Sequence, residues 1–169
     1  MELYDVLDVQ GNKTGKIGER GKPSVQGEYF RIVHVWLINS VNEFLISKRA
    51  SVKKTDPNIW EPTRGWVISG EDSIAAALRE VKEELGLTLN PFNSRLIISR
   101  ISSRDDAIVD VWLFREDIDI KNAILQPNEV SDIKWASGEL IKKLVRENRF
   151  MAVNRSLTYI DDLFRICGI

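Results

Sequence analysis

The sequence has one cysteine, Cys167, and one histidine, His34. A single cysteine excludes an intramolecular disulfide and a zinc site made of several thiolates, so we expect a reducing compartment and place the protein in the cytoplasm. The opening "MELYDVLDVQGNKTG" has no basic and apolar leader. No apolar run reaches the roughly 18 residues that span a bilayer, so neither export nor membrane association is expected. His34 lies in an apolar strand pattern and is expected in the core.

The chain also lacks an excess of either charge, with 24 Lys and Arg against 25 Asp and Glu among 169 residues. Proteins that coat nucleic acid usually have a strong basic excess, so we expect no stable nucleic-acid binding and retain a small nucleotide as a possible ligand. Hydrophobic residues make up 43% of the chain. With no repeat or long linker, residues 1–169 are expected to form one domain, while the oligomeric state stays open.

The first half of the chain predicts two β-hairpins. Apolar and polar residues alternate over residues 2–9, and "QGNKTG" supplies a turn before a second arm that covers Lys16 and Ile17. "RIVHVWLIN" (31–39) and "EFLISKR" (43–49) have the pattern of buried strands that pair antiparallel.

A loop and a helix follow these strands. The segment 53–65 has two prolines and few apolar residues, which predicts a loop. From Asp72 or Ser73 onward, apolar residues recur at steps of three and four, which predicts a helix. Gly86 lies where a C-cap glycine belongs, so the helix is expected to end there.

The second half predicts another hairpin and two more helices. Residues 94–104 and 107–116 are rich in β-branched and aromatic residues and flank a charged turn. "VSDIKWAS" is predicted to be the last strand, and its final serine to cap a helix over 138–148. A terminal helix is expected from about 154 to 166. This order predicts a mixed α/β or α+β sandwich with helices on both faces of the sheet.

Three acids crowd one side of the first predicted helix. Glu80, Glu83 and Glu84 fall within an arc of about 100°, beside the apolar arc, and like charges at this spacing repel by about 0.2–0.5 kcal/mol per pair. Carboxylates that converge at a cleft supply the hard oxygen ligands that Mg²⁺ or Mn²⁺ prefers. The alternative is a solvated acidic face with Arg79 and Lys82 as ordinary ion-pair partners.

The residues around these acids follow a known pattern. Residues 65–87, "GWVISGEDSIAAALREVKEELGL", resemble a complete Nudix box through the positions Gly65, Glu71, Arg79, Glu80, Val81, Glu83, Glu84, Gly86 and Leu87. The resemblance implies a Nudix-type α/β/α sandwich with a mixed sheet and helices on both faces. It also implies metal-dependent hydrolysis of a nucleoside diphosphate linked to another group.

Carried onto this chain, the resemblance assigns roles to individual residues. It implies that Glu80, Glu83 and Glu84 hold Mg²⁺ or Mn²⁺, with the Gly65 carbonyl as a further ligand. The general base is either Glu80 or a glutamate on a late loop.

Three further residues complete that assignment. Glu129, in "PNEVSDIKW" before the last predicted strand, is the candidate for the late-loop base. Arg79 is expected to pair with Glu71 and brace the box rather than contact substrate.

A second segment bears on the substrate. "FLISKRASVKKTDPNIWE" (44–61) is similar to the segment before the box in isopentenyl-diphosphate isomerases and their hydrolase relatives. This likeness implies that Arg49 and Lys53 grip a diphosphate, although a solvated basic patch is the alternative. Arg64 is expected to contact phosphate or to narrow the pocket.

The tryptophans beside the box are candidates for contacts with a base. Trp60 and Trp66 flank the loop next to the expected metal site and could stack a base, although a tryptophan is more often a core residue. Nucleoside di- or triphosphates are the default substrates.

Other functions stay open at this point. An isomerase requires a cysteine beside the start of the box, where this chain has Arg64 and Gly65, and so it is disfavoured. A Nudix-fold module that binds a ligand without turnover has no need for all three helix glutamates. A structural protein with an acidic face survives only if no metal binds.

Overall fold

The computed structural model describes residues 2–102, 106–151 and 159–169. The chain begins with an antiparallel hairpin of β1 (Leu3–Leu7) and β2 (Lys13–Glu19), which forms a two-stranded sheet of its own. This is the hairpin that the alternating pattern predicts.

Within the residues that the structure describes, the main sheet has seven strands, of which β3 and β8 run parallel and the other pairs antiparallel. It is therefore mixed, as predicted. The predicted pairing of residues 94–104 with 107–116 is confirmed by the β7–β8 ladder. The strands are β3 (Phe30–Ile38), β4 (Phe44–Arg49), β5 (Trp60–Glu61), β6 (Thr63–Trp66), β7 (Ser94–Ile101), β8 (Ala107–Arg115) and β9 (Val130–Ala136).

The sheet opens between β3 and β4. These strands pair only at Ile38 and Phe44, and beyond that point β6 pairs with β3 while β5 pairs with β4. The prediction of a loop over 53–65 is therefore wrong for its last part. Pro62 lacks a backbone N–H and separates the two short strands, so each joins a different side of the opening.

Three helices accompany the sheet in the described part of the chain: α1 (Ser73–Leu85), α2 (Gly138–Arg146) and α3 (Ile160–Cys167). Asp72 caps α1 by accepting a hydrogen bond from the Ala75 N–H, and Ser137 caps α2 as predicted. Gly86 ends α1 with φ of +67°, a conformation that favours glycine. Two short 3₁₀ turns lie at Pro91–Asn93 and Ile120–Asn122. The start predicted for the last helix, near 154, lies outside the described residues.

Two hydrophobic clusters cover the two faces of the sheet. Along β3, Trp36 and Ile38 face α2 and α3, while Val33 and Val35 face α1. This alternation follows from the two-residue repeat of a strand and confirms the prediction of helices on both faces. Within the described ranges, no helix has both the length and the apolar character needed to cross a membrane.

His34 lies in the core, as predicted, and is fully buried. Its Nδ1 is 2.7 Å from the Tyr159 hydroxyl, which also accepts a hydrogen bond of 3.0 Å from the Trp36 indole N–H. Burial, together with the positive charges of Arg64 and Arg100, lowers the pKa of His34 to about 3. The folded state therefore favours the neutral imidazole.

This buried histidine predicts acid sensitivity. As the pH falls below 6.5 the unfolded chain binds a proton at His34, whereas the folded chain does not until about pH 3. Protonation therefore favours unfolding, and the free energy of unfolding should fall over this window by up to about 1.4 kcal/mol per pH unit from this group. Urea unfolding at a series of pH values, in the presence of a chelator, measures the slope.

His34→Gln is the matched variant, since it keeps a polar group near Tyr159 and cannot titrate. Between about pH 6 and 4.5, the free energy of unfolding of this variant should change less with pH than that of the wild type. The difference in slope should correspond to at most one bound proton. Equal slopes for the two proteins would contradict this account.

Candidate active site

A cavity of about 440 Å³ lies at the opening of the sheet, between β6, α1 and the N-terminal hairpin. Most of the predicted site residues line it, which brings together segments that are far apart in the chain. These residues are Arg49, Lys53, Arg64, Gly65, Trp66, Glu80, Glu83, Glu84 and Glu129.

Gly65 and Glu80 meet at the inner wall of this cavity. A Cβ atom on Gly65 would lie 1.9 Å from the Glu80 carboxyl carbon, so only glycine leaves room for this carboxylate against β6. In β3, Val33 pairs with Gly65 and lies in the cluster on the α1 face of the sheet. The close approach of the Glu80 side chain to this strand explains why the box begins with glycine.

Arg79 connects the box to the helix. Its guanidinium binds both carboxylate oxygens of Glu71, at 2.9 and 3.0 Å, and donates to the Trp66 carbonyl at 2.8 Å. The ion pair expected between Arg79 and Glu71 is therefore present. The same guanidinium donates to Glu80 at 2.8 Å and to Glu83 at 3.2 Å. These carboxylates hold the pKa of Arg79 above its usual value.

Negative charge on Glu80 and Glu84 is unfavourable. Burial, together with the neighbouring carboxylates of Glu80, Glu61 and Glu129, raises the pKa of Glu84 to about 8, and the Arg64 guanidinium opposes this shift. Burial also raises the pKa of Glu80, against the opposing effect of Arg79. This part of the cavity is therefore short of positive charge.

The carboxylates of the cavity are oxygen ligands of the kind that a divalent cation prefers. In the part of the chain that the structure describes, no group of three or more His, Cys, Asp or Glu side chains is already arranged to hold a metal ion. Glu83 is half exposed and paired with Arg79. The chemistry still fits, because Glu80 and Glu84 are carboxylates in one cavity whose ionised forms need a positive partner.

Glu61 is a site residue that the sequence analysis missed. It is 5% exposed, and its two carboxylate oxygens form ion pairs with Arg49 at 2.8 Å and with Arg64 at 2.9 Å. This acid ties two cavity-lining arginines together and accounts for Arg64 beside the box. The available signal was the spacing of opposite charges at positions 61 and 64.

Lys53 and Glu129 lie together at the rim. Their side chains form an ion pair between the loop after β4 and the turn before β9. The residue predicted to bind phosphate is thus the partner of the residue predicted as a general base. The sequence separation of 76 residues gave no indication of this contact.

The two tryptophans predicted to stack a base have different positions. Trp66 lines the cavity. Trp60 is 5% exposed in the cluster on the opposite face, with the Lys134 ammonium 4.2 Å from its ring centre. The prediction for Trp60 is wrong, because its position in β5 turns the side chain into the core.

The contact between Gly65 and Glu80 gives a testable prediction. Gly65→Ala should push the Glu80 carboxylate away from β6 and destabilise the wild type more than it destabilises the Glu80→Ala variant. Urea unfolding of the four proteins of this cycle should give a coupling free energy of about 0.5–3 kcal/mol. Additive effects would mean that the close approach does not constrain this carboxylate.

Comparison with known proteins bears on the family. Residues 28–154 match the model of the NUDIX domain. An uncharacterized Nudix hydrolase of Listeria innocua is 34% identical over 89% of each chain. An isopentenyl-diphosphate Delta-isomerase of Paenarthrobacter aurescens is 29% identical over 83% of this chain and 78% of that protein.

The fold has a close counterpart among solved structures. A crystal structure of a Deinococcus radiodurans protein superposes with a TM-score of 0.73 at 24% identity, covering 98% of this chain and 99% of that one. The domain match and the relatives indicate a hydrolase that acts on pyrophosphate bonds. The chain belongs to the NUDIX domain family.

Proposed function

We propose that the protein hydrolyses a diphosphate linkage in a nucleoside di- or triphosphate, or in a related nucleoside diphosphate derivative, and that it depends on Mg²⁺ or Mn²⁺. The observation that carries this proposal is the shared cavity of Glu80 and Glu84 with Arg49, Lys53 and Arg64. The carboxylates form an acidic wall that favours a bound cation. The arginines and the lysine form a basic wall that favours a bound anion.

The acidic wall is assigned to the metal. Glu80 and Glu84 hold the cation, with Glu83 as the third carboxylate and the Gly65 carbonyl as a further oxygen. When bound, a divalent cation neutralises charge on the phosphate oxygens and favours attack by water. The ion pair of Arg79 with Glu71 fixes the box loop to α1, so that the Glu80 carboxylate stays close to β6.

The residues of the basic wall are proposed to bind the phosphates of the substrate. Glu61 fixes Arg49 and Arg64 side by side, which leaves their remaining N–H groups for phosphate oxygens. The Arg64 side chain is 31% exposed and that of Arg49 12%, so Arg64 is the more accessible of the two. Lys53 adds a point charge at the rim.

Two residues remain as general base. Glu80 is fixed close to Gly65 and held by Arg79. Glu129 pairs with Lys53 through one carboxylate oxygen, and a phosphate that takes over the Lys53 ammonium would leave the whole carboxylate available to accept a proton from water. Both assignments place the base within the lining of the same cavity.

The setting fits a small nucleotide rather than a polymer. With near-zero net charge, the chain has no basic excess for stable nucleic-acid binding, and with one cysteine we place it in the cytoplasm. A module that binds without turnover is the second candidate. An isomerase is disfavoured by the absence of cysteine beside Gly65.

The test is hydrolysis of a panel of nucleoside di- and triphosphates, sugar nucleotides, dinucleotides and isopentenyl diphosphate, with Mg²⁺ or Mn²⁺ and with product analysis. At least one nucleotide should be cleaved at a diphosphate linkage, and a chelator should abolish cleavage. Glu80→Gln and Glu84→Gln should each lower kcat/KM by about 100-fold or more, because each removes a charge that the reaction requires.

Glu139→Gln is the matched control, since the Glu139 side chain on α2 is 80% exposed and does not line the cavity. It should leave kcat/KM unchanged. Folding of each variant is checked by thermal unfolding. Failure to cleave any compound, or full activity in both cavity variants, would refute the hydrolase proposal.

A further inference from the structure

The cavity has a second part whose chemistry a diphosphate does not need. Besides the charged residues it includes Phe30, Ile32, Trp66 and Ala107, and the whole cavity, at about 440 Å³, has the volume of a pocket for a small molecule. The lining here is apolar and aromatic. This end of the cavity suits the organic part of a substrate.

An aromatic stack forms this end. The rings of Phe30 and Trp66 are nearly parallel, at 8°, with their centres 3.9 Å apart. The Arg20 guanidinium carbon lies over the same indole, 5.3 Å from its centre. Tyr4 also packs against this indole, with the ring centres 5.3 Å apart at 50°, so Phe30, Tyr4 and the Arg20 guanidinium all contact Trp66.

Arg20 is held there by weak contacts. It pairs with Glu2 at 2.5 Å, and the two side chains are 50% and 53% exposed. An exposed ion pair and an exposed cation–π contact contribute little, whereas stacking of a nucleobase on an aromatic ring contributes more. A base can therefore replace the guanidinium over Trp66.

The backbone that carries Arg20 is anchored. The Arg20 N–H donates to the Glu2 carbonyl at 3.0 Å, and the Ser69 N–H, in the box loop, donates to the Leu3 carbonyl at 2.8 Å. The N-terminal hairpin thus holds Glu2 and Arg20 at the lining of the cavity while their side chains turn. A displaced Arg20 offers hydrogen-bond donors to the edge of a base, and Glu2 offers an acceptor.

We propose that the face of Trp66 now covered by Arg20 receives the base of a nucleoside diphosphate, and that Arg20 is the residue that determines preference among bases. This inference rests on the proposed function, and it adds that a planar base, rather than a branched aliphatic chain, fills the aromatic end. The N-terminal hairpin is then part of the substrate site.

The test measures binding of compounds that cannot be hydrolysed, by calorimetry with Mg²⁺ present. The probes are the α,β-methylene analogues of ADP, GDP, CDP and UDP, together with methylenediphosphonate and its isopentenyl ester. At least one nucleoside analogue should bind at least tenfold more tightly than methylenediphosphonate. The isopentenyl ester should not show this tenfold gain in affinity. Binding should quench tryptophan fluorescence in the wild type, and less in Trp66→Phe.

Arg20→Ala should reduce, at least threefold, the ratio of affinities between the tightest-binding and the weakest-binding nucleoside analogue. Its affinity for methylenediphosphonate should stay within twofold of the wild-type value. Arg149→Ala is the matched control, because that arginine is 61% exposed, pairs with Glu147 and does not line the cavity. It should leave the ratio unchanged.

The outcomes separate the two proposals. Equal affinity for nucleoside analogues and methylenediphosphonate, or an unchanged base ratio in Arg20→Ala, would overturn the role of Arg20 and leave diphosphate binding intact. Absence of binding by every probe would overturn the proposed function, and this inference with it.

Discussion

The site depends on one unfavourable arrangement: two carboxylates, Glu80 and Glu84, are held in a confined cavity where burial opposes their negative charge. Gly65 allows Glu80 to approach β6, and α1 places Glu84 one turn further along. Arg79 satisfies part of the charge, but its guanidinium is shared with Glu71 and Glu83. The negative charge that Arg79 does not neutralise favours a bound cation, next to the arginines that line the cavity.

The fold creates this arrangement by opening its sheet. Once β3 and β4 separate beyond Ile38 and Phe44, two short strands occupy the space, one with Glu61 behind the cavity-lining arginines and the other with Gly65 in the lining itself. Hydrophobic clusters on both faces fix the strands, so the charged groups do not have to hold the sheet together. The end of the N-terminal hairpin adds Arg20, which lies over Trp66, to the lining of the cavity.

Local patterns predicted the parts of the fold that depend on local physics. The alternation in β1, the buried-strand pattern of β3 and the residues at the two ends of α1 signalled their structure, because each depends on near neighbours in the chain. The box from Gly65 to Leu87 was recognised by its resemblance to a family pattern. Contacts between distant segments carried no such signal. The parallel pairing of β3 with β8, the ion pair of Lys53 with Glu129 and the position of Arg20 arise only from tertiary packing. The prediction that Trp60 stacks a base was wrong because strand register decides which face of the sheet its side chain occupies. Composition does not reveal that register.

The most direct test of the central claim is binding of Mn²⁺ to the substrate-free protein, followed by electron paramagnetic resonance. The account predicts that the wild type binds Mn²⁺, that Glu84→Gln and Glu80→Gln each weaken binding by about tenfold or more, and that the exposed Glu139→Gln does not. Undiminished Mn²⁺ binding in both cavity variants would contradict the claim that these two carboxylates form the metal site.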